Sequence, residues 1–378
     1  MKTWRTMQGF DIAAYYWPAY HDEPLWRRFM PDGEGEWQTI RKASPRFEGH
    51  YQPRVPYWGY QNEAEPIVMQ QKIDAAAEHG VNLFIFDWYW YNNAPFLEDA
   101  LRKGFLCAKN NQRIRFYIMW ANHDATTLWD LEQSHESKVV WQGAVNRAEF
   151  ECAVNRIINE YFSHPSYYTI EGKPVFSIYE LGALINGLGG IEQTRDALDY
   201  FRNKTSAAGF PGLHIQAILW ALIPAIPSPA PGDSIATQAN TIRTLGIDSL
   251  TNYQWCHYVN PSGHYNDWAE HAIKVWERWI AEFPVPYFPH VSIGWDTNPR
   301  FKEYRKELIV NATPDKFGEY LFRAMSFIDR HNISPRLITV NSWNEWSEGS
   351  YLEPDMMFGM QYLEAVRASL DQYARKST

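Results

Sequence analysis

Short runs of apolar and β-branched residues recur along the chain, each followed by a polar or aromatic cluster and then a stretch with helical spacing. The runs fall at about 10–16, 81–88, 114–120, 174–180, 213–220, 247–252, 287–293 and 337–343. Helix-period segments occupy roughly 65–79, 96–110, 147–162, 191–208, 234–245, 266–282 and 315–331, and a last one lies near 356–375. Some carry their own punctuation. Glu65-Pro66 opens the first helix and His79-Gly80 closes it, with glycine where a left-handed C′ residue is expected. Asp315 falls in the first turn of the seventh, where an anion meets the positive end of the helix dipole. Eight strand–helix alternations predict a parallel sheet, and eight is the number that closes a (β/α)8 barrel of the TIM type. An open doubly wound sheet instead expects a glycine-rich phosphate loop after its first strand. Tyr15-Tyr16-Trp17-Pro18 stands in that place, so the barrel is preferred.

Two strand-to-helix connections, about 17–64 and 121–146, are too long for simple turns. On a barrel they belong at the C-terminal face, where they can wall a substrate groove. No repeat, low-complexity run or linker divides the chain, so residues 1–378 are expected to form one catalytic domain. The 44 acidic against 35 basic residues leave a formal charge of −9, with no basic stripe to meet a nucleic acid. No window approaches a membrane span, and Met1 to Phe10 lacks the apolar segment of a signal peptide. The expectation is a protein without nucleic-acid or membrane partners, cytoplasmic as the sequence stands, or secreted or periplasmic if a signal has been removed. Oligomeric state is not legible. Cys107, Cys152 and Cys256 are odd in number and widely spaced, which suggests neither a disulfide framework nor a thiolate metal site.

Aromatic content changes the picture most, with 18 Trp, 23 Tyr and 20 Phe. Many stand among polar residues, as in Trp88-Tyr89-Trp90-Tyr91-Asn92-Asn93 and Tyr253-Gln254-Trp255-Cys256-His257-Tyr258. Aromatic faces stack on the C–H faces of sugar rings while neighbouring amides and carboxylates take the hydroxyls; equally, Trp and Tyr pack in ordinary cores with a polar tip near the surface. The C-terminal ends of barrel strands point into the catalytic mouth. There the sequence puts Tyr15 and Tyr16, Asp87 and Trp88, Trp120 and Asn122, Tyr179, Tyr253 and His257, Trp295 and Asp296, and Asn344. These are the candidate substrate contacts, and the substrate they suit is a carbohydrate. His21, His123 and His257 lie on separate connections with no i, i+4 partner, so no metal is expected, and no cofactor motif is present.

The sharpest local signal is Asn341-Ser342-Trp343-Asn344-Glu345-Trp346-Ser347-Glu348-Gly349 at the end of the last strand. Glycoside cleavage needs one carboxyl to protonate the departing oxygen and another to act as base or nucleophile, and two close carboxyls push their proton affinities apart. Glu345 and Glu348, three apart on a strand end, are the candidate catalytic pair; an ordinary loop pair of glutamates would show the same spacing.

The stretch Asn341 to Pro354 resembles the Asn-Glu-Trp-x-Glu-Gly signature of the glycoside hydrolase family 99-like barrels. These include the endo-α-mannosidases and the WbsX-like group of polysaccharide gene clusters. Ala14 to His21, Glu36-Trp37, Gly49 to Arg54 and Gly294 to Arg300 resemble WbsX-like blocks, in order along nearly the whole chain. Ser347 stands where the mannosidases usually carry His, so the narrower mannosidase assignment is not implied. The resemblance implies that Glu345 acts as base on the sugar's own 2-hydroxyl, which attacks the anomeric carbon. It implies that Glu348 protonates the leaving group and later activates water. The reaction expected is retaining hydrolysis of an oligo- or polysaccharide. A WbsX-type glycosyltransferase of polysaccharide biosynthesis and a non-catalytic sugar-binding barrel are the alternatives.

Overall fold

A computed structural model of the protein describes residues 9–228 and 235–377. Most of the N-terminal segment considered above, and residue 234 at the start of the predicted 234–245 helix, lie outside the described residues. Eight parallel strands form the barrel, labelled here in chain order: β1 Asp11–Tyr16, β2 Leu83–Tyr91, β3 Arg115–Trp120, β4 Lys173–Ile178, β5 His214–Ile218, β6 Ser249–Thr251, β7 His290–Ser292 and β8 Leu337–Asn341. Each pairs with its sequence neighbour, and β1 pairs with both β2 and β8. Only β6 and β7 are too short to meet as strands. The ring closes there through Leu250, whose N–H donates to Pro286 O at 2.9 Å and whose carbonyl accepts from Phe288 N–H at 2.8 Å.

Nearly every strand residue is buried, because helices cover the outside and side chains fill the inside. That is why the strands read as continuous apolar runs rather than alternations. The interior is unusually polar: Tyr117 donates to Gln216 Oε1 at 3.0 Å, and the Thr339 hydroxyl bonds both Thr251 and His290. Helices Pro66–His79, Arg147–Ile157, Ile191–Ala207, Gln238–Leu245, Tyr265–Glu282, Pro314–Arg330 and Gln361–Ser377 form the outer layer. The first ends as expected at Gly80, whose φ of 94° and approach to Leu370 leave no room for a Cβ.

The 96–110 segment departs from expectation. Strand β2 runs past the barrel rim and turns back at Asn92 and Asn93, both at positive φ, so that Ala94–Phe96 pairs antiparallel with it. Asn tolerates that conformation, and a two-residue turn of this kind makes a hairpin. Only one π-type turn, Ala100–Phe105, follows. A helix that the sequence did not announce, Leu181–Leu188, follows β4.

Both long insertions stand at the C-terminal mouth. The first carries a short helix at Trp37–Lys42, and the second a hairpin of Ala125–Thr126 with Val139–Trp141. Aromatic rings bind them together: Trp26 meets Trp129 edge-on at 5.3 Å and Phe29 meets Trp141 at 5.5 Å. Part of the aromatic surplus is therefore packing between insertions.

Candidate active site

A cavity of about 710 Å³ opens at the C-terminal mouth of the barrel. Glu345 and Glu348 line it together with Asp87, Tyr253 and Arg300. After β8 the chain forms a two-residue ladder, Asn344–Glu345 against Ser350–Tyr351, with Trp346–Glu348 as a single helical turn between them. Gly349 ends that turn at φ 63°, and a Cβ there would lie 2.5 Å from the Arg54 guanidinium. The turn can be this tight only with glycine.

Several bonds hold the hairpin in place. Ser342 Oγ accepts from Glu345 N–H at 2.7 Å, and Tyr20 Oη accepts from Trp346 N–H at 3.2 Å. Asn344 ties it to β1, accepting from Trp17 N–H and donating to Trp17 O, both at 2.8 Å. Asn344 also donates to Glu63 at 2.9 Å. Beneath it Lys72 forms a fully buried ion triad with Glu63 and Glu353, and Trp346 Nε1–H donates to Glu353 at 2.9 Å.

One cation serves the carboxylates at the cavity floor. Arg300 Nη1 lies 2.6 Å from Glu348, Nη2 3.5 Å from Glu345, and Nε 3.0 Å from Glu36, which is itself held by Trp17 Nε1–H at 2.7 Å. Burial raises the pKa of both catalytic candidates. For Glu345 the charge of Glu348 raises it further and Arg300 opposes; for Glu348 Arg300 is the main opposing influence. Two like charges close together, one buried and one partly exposed, next to one guanidinium favour holding a proton between them, which suits acid–base work.

Of the candidate substrate contacts, Asp87, Tyr179, Tyr253, His257 and Trp295 line this cavity with the two glutamates. Trp220 stacks on His257 at 4.2 Å, and Tyr179 lies 3.4 Å from His257 Nε2, which makes an aromatic wall. The others do not line the cavity. Tyr15 points inward one layer deeper, donating to Asn252 O at 2.9 Å. Tyr16 points outward onto Phe84 and Phe86. Trp88 and Trp120 also face the helices, Trp88 donating to Glu98 and Trp120 packing on Phe150. Asn122 braces two loops by bonding both backbone groups of Glu180 at 2.8 Å. Asn344 is the fastening just described.

Asp296 turns away into a second cavity of about 500 Å³, where Trp295 forms part of both walls. It accepts from Arg54 at 2.8 Å, Gln52 at 2.9 Å and Asn298 at 2.8 Å, and meets His50 at 2.9 Å. Burial alone would raise its carboxyl; the Arg54 charge and these bonds outweigh it and hold the pKa well below the usual range. A depressed carboxyl stabilises the fold above its unfolded pKa of about 3.9, and that contribution is lost as pH falls through the folded value. Asp296→Asn should therefore destabilise the protein in urea melts at pH 7. The gap to wild type should narrow as both are taken below about pH 4; a constant gap across that range would remove the charge from the explanation.

Sequence reading missed Arg300, Glu36 and Tyr89. Arg300 and Glu36 stand in stretches already noted for their resemblance, but no local pattern says that residues 264 apart share an ion pair. Tyr89 lies two residues beyond Asp87, the parity that faces inward. Among the described residues no group of three or more His, Cys, Asp or Glu is placed to hold a metal, and no helix is long and apolar enough to cross a membrane.

The family model described as Glycosyltransferase WbsX matches residues 12–366. Two curated relatives, each described as Uncharacterized protein WxcX, come from two strains of Xanthomonas campestris pv. campestris. Each is 27% identical over 366 residues, covering 95% of this chain and 49% of the relative. The chain thus spans about half the length of the curated relatives it matches. Among solved structures, the GH99 endo-alpha-mannosidase from Bacteroides thetaiotaomicron in complex with bis-tris-propane aligns with a TM-score of 0.61 at 13% identity, covering 97% of this chain and 99% of that one. A structure titled glycoside hydrolase-like protein aligns at 0.59 and 14% identity, covering 96% and 94%. At such identity these likenesses show the barrel fold.

Proposed function

The chain belongs to the family described as Glycosyltransferase WbsX, and we propose that it cleaves glycosidic bonds with retention, using Glu345 and Glu348. One observation carries this reading: a buried carboxyl and a partly exposed one share a single guanidinium on the floor of an aromatic-walled cavity. Glu345 serves as base toward the sugar's 2-hydroxyl, which closes onto the anomeric carbon. Glu348 gives its proton to the departing oxygen and then takes one from water. A substrate lacking the 2-hydroxyl should bind without turning over. An aryl glycoside whose leaving group needs no proton should restore part of the activity of Glu348→Gln but not of Glu345→Gln. Capture of a 2-deoxy-2-fluoro sugar on any carboxylate would falsify the 2-hydroxyl route in favour of an enzymic nucleophile.

The family's description supports a second reading, sugar transfer from a nucleotide donor. The cavity disfavours it. Its lining includes Asp87, Asp124, Glu180, Glu345 and Glu348 but no lysine, and its one arginine is already committed to three carboxylates. A diphosphate would meet net repulsion there. Thermal shifts with nucleotide sugars set against neutral oligosaccharides separate the two, since transfer requires stabilisation by the former.

A further inference from the structure

The Tyr253 hydroxyl lies between two buried carboxyls, 2.8 Å from Asp87 Oδ2 and 2.7 Å from Glu345 Oε1. Burial and the charges of Asp87 and Glu345 keep the phenol protonated, so one hydrogen serves two contacts. A phenol can donate once; the second contact is a bond only if the other carboxyl donates to the phenol oxygen. Otherwise two buried anions press on one hydroxyl, which costs several kcal/mol of desolvation.

The surroundings choose between the two carboxyls. Glu345 is within 3.5 Å of Arg300 and so has a cation to hold it as an anion. Asp87 has no ion-pair partner among the described residues; each carboxyl leaves one buried oxygen without a hydrogen bond, Asp87 Oδ1 and Glu345 Oε2, and only the Glu345 oxygen faces a cation. The groups facing Asp87 are Tyr253 from the loop after β6, Glu345 and Glu348 from the loop after β8, Tyr15 on β1, Tyr179 after β4, and Tyr89 on its own strand. None of them is a cation. Burial pushes its carboxyl well up, with the Tyr253 bond opposing.

We propose that Asp87 carries a proton in the free protein and donates it to the Tyr253 oxygen, so that Tyr253 in turn donates to an anionic Glu345. The arrangement counts two protons for three groups: one on Asp87, one on Tyr253, none on Glu345. Asp87 is then a positioning residue that acts through Tyr253 to keep Glu345 ready as a base. Only this last role rests on the hydrolase reading, and the protonation pattern can be read without any substrate.

Infrared spectra of the protein at neutral pH, labelled at the aspartate side-chain carboxyl with carbon-13, should show an isotope-shifted carboxylic-acid C=O stretch. That band should vanish in Asp87→Asn and shift in Tyr253→Phe, where its acceptor has gone. Tyr253→Phe also provides the assignment if Asp87→Asn does not fold. An aspartate band that neither substitution alters, a band from labelled glutamate instead, or no acid band at all each overturns the proposal. Where turnover can be measured, Asp87→Asn mimics the protonated acid and should retain at least tenfold more activity than Asp87→Ala. Its alkaline limb should move to higher pH, because no proton is left to lose. An unmoved limb alongside the expected infrared band would remove the catalytic role and leave the protonation.

Discussion

Glu345→Gln and Glu348→Gln should each lower turnover of a cleavable glycoside by about 10²–10⁴-fold, with urea melts close to wild type. The magnitude is that of a lost general acid or base. Folding is spared for a reason visible at the cavity floor. Glutamine keeps the shape of each side chain, and neither substitution adds a charge to the crowded carboxyls around Arg300. Arg300 keeps Glu36 and one of the pair in either case. The two variants should differ in what rescues them, as set out for the aryl glycoside. If both retain near-wild-type rates on a confirmed substrate, the assignment of the pair is wrong.

The largest stability effect should come from a residue that never touches the cavity. Lys72→Met should cost about 3–5 kcal/mol, the range for removing one partner of a buried ion pair. Its ammonium lies 2.6 Å from Glu353 and bonds Glu63, and both side chains are essentially sealed from water. Without Lys72 the two glutamates face each other in a dry pocket beside Tyr16. Burial already raises Glu63, and Lys72 is the main influence opposing that. In the variant Glu63 should protonate more readily, so the deficit in urea should shrink as pH falls from 8 toward 5. A deficit under 1 kcal/mol at neutral pH would mean the triad contributes little. Because Glu63 and Glu353 bond Asn344 and Trp346, activity should fall with stability.

The barrel was legible because all eight strands are buried on both faces and so stand out as apolar runs. The same burial hid which side of each strand faces the mouth. Adjacent strand residues point oppositely, yet Asp87 and Trp88 are equally enclosed, one over the cavity floor and the other under a helix. Sequence reading took such neighbours as pairs: Tyr15 with Tyr16, Asp87 with Trp88. The structure places one of each inside and one outside. The two glutamates could be singled out because their chemistry and spacing are local. Arg300 and Glu36 could not, because their role exists only once distant insertions fold over the barrel end. Asn344 illustrates the opposite case, a polar residue in the motif whose amide is spent entirely on anchoring the chain.

The two insertions at the mouth carry unequal burdens, and this sets how the family can diversify. The first contributes Trp17, Tyr20, Glu36, Arg54 and Glu63, each bonded to the β8 hairpin, to Arg300 or to Asp296. The second supplies His123, Asp124, Leu128 and Trp129 to the cavity wall, with no hydrogen bond or ion pair to either glutamate side chain among the described residues. A loop graft over 121–146 that keeps the Trp129 and Trp141 packing would therefore reshape the cavity wall and leave the bonds around Glu345, Glu348 and Arg300 in place. A graft over 17–64 would break those bonds even with Glu345 and Glu348 left in place. Substrate range in related chains should thus track the length and composition of the second insertion, with the first drifting far more slowly.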